Sequence, residues 1–84
     1  MNASTYIKLS DTQFGDTVII EEMHITGTMR RRLMDLGFVP GALVHVLQRS
    51  PLGDPIAFQL NNTTIALRKE ESSQIIARKL GEEQ

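Results

Sequence analysis

The chain has 84 residues, 40% hydrophobic and 23% charged, with nine basic against ten acidic side chains and a formal net charge of −1. Folding at this size buries only about 63% of the extended chain's surface, enough for one small core, and the composition excludes collagenous, disulfide-built and highly charged disordered chains. There is no cysteine, which removes disulfides, thiolate metal sites and cysteine nucleophiles, and no apolar run approaches the roughly 20 residues of a membrane-spanning helix.

Charge is unevenly placed. Residues 1–22 hold Lys8 against Asp11, Asp16, Glu21 and Glu22, whereas residues 23–49 hold Arg30, Arg31, Arg32 and Arg49 against Asp35. A near-neutral total disfavours general polyanion binding through many phosphates, so the positive charge is a local feature. Lys8, Asp11 and Asp16 interrupt the apolar stretch that a signal peptide needs, and the expected location is cytoplasmic.

In chain order, residues 6–16 read as a leading arm that lays Tyr6, Leu9 and Phe14 on a core and ends in a Gly15-Asp16 turn. The β-branched run Thr17–Met23 is a first strand. Met29, Leu33 and Leu36 then recur at i, i+4 and i+7, the period of an amphipathic helix, with Arg30, Arg31, Arg32 and Asp35 on its other faces. Thr26 and Thr28 both fit its N-cap. Gly37 suits a left-handed stop, with Phe38 folding back onto Leu33 in a Schellman motif, so the helix runs for about nine residues.

Pro40 and Gly41 occupy the central positions of a type II turn. A strand over Leu43–Arg49 follows, with Val44 and Val46 on one face and His45 on the other. Pro51-Leu-Gly-Asp-Pro55 is a tight loop, and Ile56, Phe58 and Leu60 alternate in a third strand. Asn61-Asn62 turns the chain into a fourth strand over Thr63–Arg68. Lys69–Ser72 makes one polar turn and Gln74–Arg78 a last, edge strand open to weak homodimerisation. The fold expected is mainly β, a closed or nearly closed small barrel of about five strands, with the helix inserted after the first strand and covering one end. It forms a single domain over 1–84, with its core over about 6–79 and a frayed tail at 80–84.

Arg31-Arg32-Leu33-x-x-Leu36-Gly37-x-x-Pro40-Gly41, Val44-x-Val46, Pro51-x-Gly53-Asp54-Pro55 and Ala66-Leu67-Arg68, in that order, resemble the FeoA family, small cytoplasmic proteins of bacterial ferrous iron transport. The resemblance runs from about Phe14 to Ala77. It implies an SH3-like barrel and a partner, the membrane transporter FeoB with its cytoplasmic GTP-binding part, and it does not imply catalysis. The same barrel occurs fused to metal-dependent repressors, so fold alone leaves a regulatory role open.

Candidate partner-binding residues are Arg30, Arg31 and Arg32, which suit an acidic patch, together with Leu52 and Asp54 in the proline-bounded loop, where Leu52 stands as an exposed apolar tip. Asp35 is placed to pair with Arg31 and Arg32. A nucleic-acid-associated barrel using the Arg30–Arg32 face is the alternative, with a salt slope of about −3 at most. Glu22 and His24 can share a strand face while Glu21 cannot, too few ligands for a metal site. No nucleophile is assignable beside a base, so neither an enzyme nor a bound cofactor is expected.

Overall fold

The structure, a computed structural model, describes residues 6–49 and 51–80. Among the described residues six strands form one antiparallel sheet. They are β1 (Tyr6–Lys8), β2 (Thr17–Met23), β3 (Leu43–Arg49), β4 (Ile56–Leu60), β5 (Thr63–Leu67) and β6 (Ile75–Leu80). Their spatial order is β1-β6-β2-β3-β4-β5. A 3-10 turn (Leu9–Asp11) follows β1, the helix α1 (Gly27–Asp35) follows β2, and the single-turn helix α2 (Lys69–Ser72) precedes β6.

Alternation builds the core. Ile56, Phe58 and Leu60 of β4 are buried while Ala57 and Gln59 are half-buried between them, as a period of two requires. Val18 and Ile20 from β2, Val44 and Val46 from β3 and Ile75 and Ala77 from β6 point to the same interior. Phe38 and Phe58 meet edge to face, centroids 6.4 Å apart, an arrangement favoured by the ring quadrupoles. Bulges between Ile20 and Glu22 on β2 and between Val46 and Arg49 on β3 bend the sheet toward closure.

The turns are those the sequence predicts. Gly37 has φ of +97°. Phe38 N–H donates to Leu33 O at 2.9 Å and Gly37 N–H to Met34 O at 3.0 Å, the paired bonds of a Schellman motif. Ala42 N–H donates to Val39 O at 2.9 Å across Pro40-Gly41, and Gly41 takes the positive φ that a type II turn needs. Asn61 is left-handed at the β4–β5 hairpin. In α2, Arg68 N–H donates to Glu71 Oε1 at 2.8 Å, the reach-back bond of a capping box. At α1 the N-cap is Thr26, which makes no side-chain capping bond.

Several expectations are corrected. Residues 6–8 of the arm are a strand paired with β6 through Tyr6↔Arg78, Ile7↔Ala77 and Lys8↔Ile76. The segment Gln74–Arg78 is therefore no edge: β6 lies between β1 and β2, and the edges are β1 and β5. Tyr6 and Phe14 are 60% and 76% exposed rather than core. Ile7 takes the inward position of β1, and of the three expected anchors Leu9 alone is buried, its carbonyl accepting the Thr12 hydroxyl at 2.7 Å. Leu36 is 44% exposed, because it is the C-cap and the reversal after it delivers Phe38 to the core. The fourth strand stops at Leu67, and the last runs to Leu80, which pairs with Thr17 instead of starting the tail. The expected tail at 81–84 lies outside the described residues.

Three substitutions test α1 and the stop that follows it. Leu33→Ala, which empties a buried site, is expected to cost about 2–5 kcal/mol, and Leu36→Ala under about 1 kcal/mol, by urea unfolding. Gly37→Ala adds a Cβ 3.2 Å from Leu60 Cδ2 at a positive φ. Leu60 gives way slightly but the backbone cost stays, so a loss of about 1–2 kcal/mol is expected. A neutral Gly37→Ala would refute the role assigned to the left-handed stop.

Candidate functional site

The helix α1 begins after β2 ends, and its rotation decides which arginine is available. Leu33 is buried and Met29 packs half-buried against the core. At about 100° per residue, Arg30 lies about 60° from Leu33, close to the core side, whereas Arg31 lies about 160° away and Arg32 about 100°. Arg30 is accordingly half-buried and donates from Nη1 to Met23 O at 2.9 Å, fastening α1 to the end of β2. Arg31 and Arg32 are exposed. The pairing of Asp35 with them is not formed. Among the described residues the ion pairs are Glu21–Arg78, Asp16–Lys79 and, when the imidazole is protonated, Glu22–His24.

Of the open grooves along α1, two share Arg31 and Asp35. One, of about 290 Å³, is lined among the described residues by Thr28, Arg31, Arg32, Asp35 and Leu36. These residues fall at i, i+3, i+4, i+7 and i+8, a single stripe of a helix. The other, of about 340 Å³, has Gly27, Arg30, Arg31, Met34 and Asp35. Arg31 and Asp35 thus form the ridge between them.

Leu52 is 93% exposed, as the apolar tip of the proline-bounded loop. Asp54 has a fastening role: its Oδ1 accepts the Lys69 N–H at 2.8 Å and ties that loop to the start of α2. The loop does not join the arginine helix. It closes the end of the β3–β4 pair marked by Arg49↔Ile56, whereas the end of α1 abuts Leu60 at the other end of β4, beyond strands roughly 15–20 Å long. The five candidate residues therefore divide between two separate places.

The histidines take the positions their strand geometry dictates. His24 Nε2 and Glu22 Oε1 are 2.8 Å apart on the surface, while Glu21 turns away and accepts from Arg78 Nε at 2.8 Å. His45 Nδ1 lies 3.0 Å from Thr17 Oγ1. Among the described residues no three histidine or carboxylate side chains come together as a metal site, and no helix is long and apolar enough to cross a membrane.

The register also reveals a surface that sequence reasoning missed. Tyr6, Arg78, Ile19 and Leu43 pair in one row across β1, β6, β2 and β3, with Tyr6 60% and Leu43 46% exposed. Its signal was the run Val18-Ile19-Ile20, in which one apolar residue of three must face outward.

Comparison with known proteins places this geometry. The FeoA domain pattern matches residues 7–79. A Porphyromonas gingivalis protein named Fe(2+) transport protein A/Fe(2+) transporter FeoB fusion protein is 32% identical over 69 residues, which cover 82% of this chain and 8% of that protein. The present chain thus matches only a small fraction of that relative's length. The solution structure of FeoA from Chlorobium tepidum is 37% identical, with a TM-score of 0.87, covering 93% of this chain and 74% of that one. A zinc-complexed FeoA from Stenotrophomonas maltophilia, described as an SH3 domain protein, is 26% identical with a TM-score of 0.68, covering 90% and 89%. With the pattern matching over most of its length and the barrel shared, the chain belongs to the FeoA family and has its SH3-like fold.

Proposed function

We propose that this chain is a cytoplasmic, non-enzymatic accessory protein of ferrous iron uptake that binds the cytoplasmic GTP-binding part of a FeoB-type transporter and modulates it. The observation that carries the reading is the Porphyromonas gingivalis relative, in which a domain similar to this chain is joined to FeoB in one polypeptide. Covalent joining converts a bimolecular encounter into a local one at high effective concentration, which serves a domain that works on the transporter itself. A barrel of this size acts through what it shows outward, which includes a basic helix face and an isolated apolar loop tip. Arg31, Arg32 and Leu52 are the docking residues in this reading, with Arg30 and Asp54 holding the helix and the loop that present them.

Affinity capture of the transporter from a membrane extract tests the reading. Retention on the full chain is expected in at least one nucleotide state, weakening as salt rises because the arginines sit on an exposed surface. Failure with both GTP and GDP would reject it. The nucleic-acid alternative has Arg30 turned to Met23 O and only Arg31 and Arg32 exposed for phosphate contact, so its salt slope falls to about −2. A duplex DNA shift at low salt with no transporter retained would reverse the preference.

Leu52→Asp separates docking from folding. At 93% exposure the change is expected to leave the thermal midpoint within a few degrees and to weaken capture. Loss of the folded state would show that Leu52 is buried.

A further inference from the structure

The outward face of α1 is unusually free of structural duty. The helix is fastened by Leu33, Met29 and the Arg30–Met23 bond, and none of these uses the stripe that contains Arg31, Arg32 and Leu36. Two guanidinium groups stand one residue apart with no ion pair among the described residues, although Asp35 is within a turn of both. Among the described residues no acidic side chain meets their charge. Beside them, Leu36, 44% exposed, gives the groove along Thr28, Arg32 and Asp35 an apolar floor, while Met34 borders the more polar one.

From these observations we infer that the outward face of α1 docks an acidic, amphipathic protein segment of the transporter, an inference that rests on the function proposed above. Carboxylates of that segment meet Arg31 and Arg32, whose planar heads suit bidentate contact. An apolar side chain lies in the groove beside Leu36, in the manner of side-chain ridges fitting helix grooves. Asp35 between the rows offers a place for one basic group, which sets the register of the partner and makes the surface poor for a continuous phosphate backbone. The competing surfaces fit this partner less well. The row of Tyr6, Ile19 and Leu43 carries an arginine already paired, Arg78 with Glu21 at 2.8 Å, and Leu52 stands alone at the far end of β3 and β4.

The test uses the full chain with the full-length transporter in nanodiscs, read by hydrogen–deuterium exchange and by binding titration. Protection is expected over 27–37. Arg31→Ala and Arg32→Ala are each expected to weaken binding about tenfold, and the Arg31→Glu/Arg32→Glu double variant more than either. Leu36→Asp is expected to weaken binding similarly. The arginine variants keep the wild-type thermal midpoint within a few degrees, since those side chains are exposed, whereas Leu36→Asp, at the C-cap, is compared at a temperature where it is fully folded. A complex that forms while 27–37 stays unprotected, or a folded double variant that binds like wild type, would overturn the α1 surface and leave the proposed function standing. No complex in either nucleotide state would remove both.

Discussion

The chain reversal at Gly37 is the constraint on which the barrel and its helix both depend. Two carbonyls at the end of α1, of Leu33 and Met34, are satisfied by Phe38 and Gly37 at 2.9 and 3.0 Å, and the same bonds swing Phe38 into edge contact with Phe58. The next turn is clasped to β2 by Gly41 N–H to Ile20 O at 2.7 Å and Ile20 N–H to Ala42 O at 3.0 Å. That clasp starts β3 in register, with Leu43 opposite Ile19. A slip of one residue here would turn Val44 and Val46 out of the core, so a local helix stop sets a long-range strand pairing.

The same fastening decides what the molecule offers to others. With Leu33 inward, helical geometry sends Arg30 toward the barrel and Arg31 almost directly away from it. A run of three identical residues is thereby split into one that builds the protein and two that face solvent. The loop at the other end of β3 divides in the same way. Asp54 ties it to the start of α2 through Lys69 N–H at 2.8 Å, while Leu52 projects. At each place a polar bond to the backbone steadies the element and the neighbouring side chains are left for contact, an economical use of a chain that has one small core.

What could be read from the sequence was what local chemistry determines. Gly37, Pro40-Gly41 and Asn61 are residues chosen by backbone angles, and the alternation of Ile56, Phe58 and Leu60 shows its period within five residues. β1 was illegible for the opposite reason: three residues display no period, and Tyr6-Ile7-Lys8 becomes a strand only because β6 offers it a free side. Its pairing in turn removed β6 from the edge. Leu36 and Phe14 failed similarly, since apolar character alone does not say which of several nearby residues a tight turn delivers to the core. The division of the arginines was present in the helical period but hidden by their identity, and only the bond from Arg30 to Met23 O resolves it.

That division bears on how docking can be separated from folding in so small a protein. A barrel of one core has few residues to spare, and most substitutions that reach its interior disturb partner binding simply by depopulating the fold. Arg30 and Asp54 look like surface charges in the sequence, yet each holds a backbone group of another element, so removing them mixes the two effects. Arg31, Arg32 and Leu52 make no such bonds among the described residues and can be changed with the architecture left in place. The residues most informative about function are therefore those that the fold does not use, and α1 concentrates two of them on one face because its stop at Gly37 leaves the helix no freedom to turn.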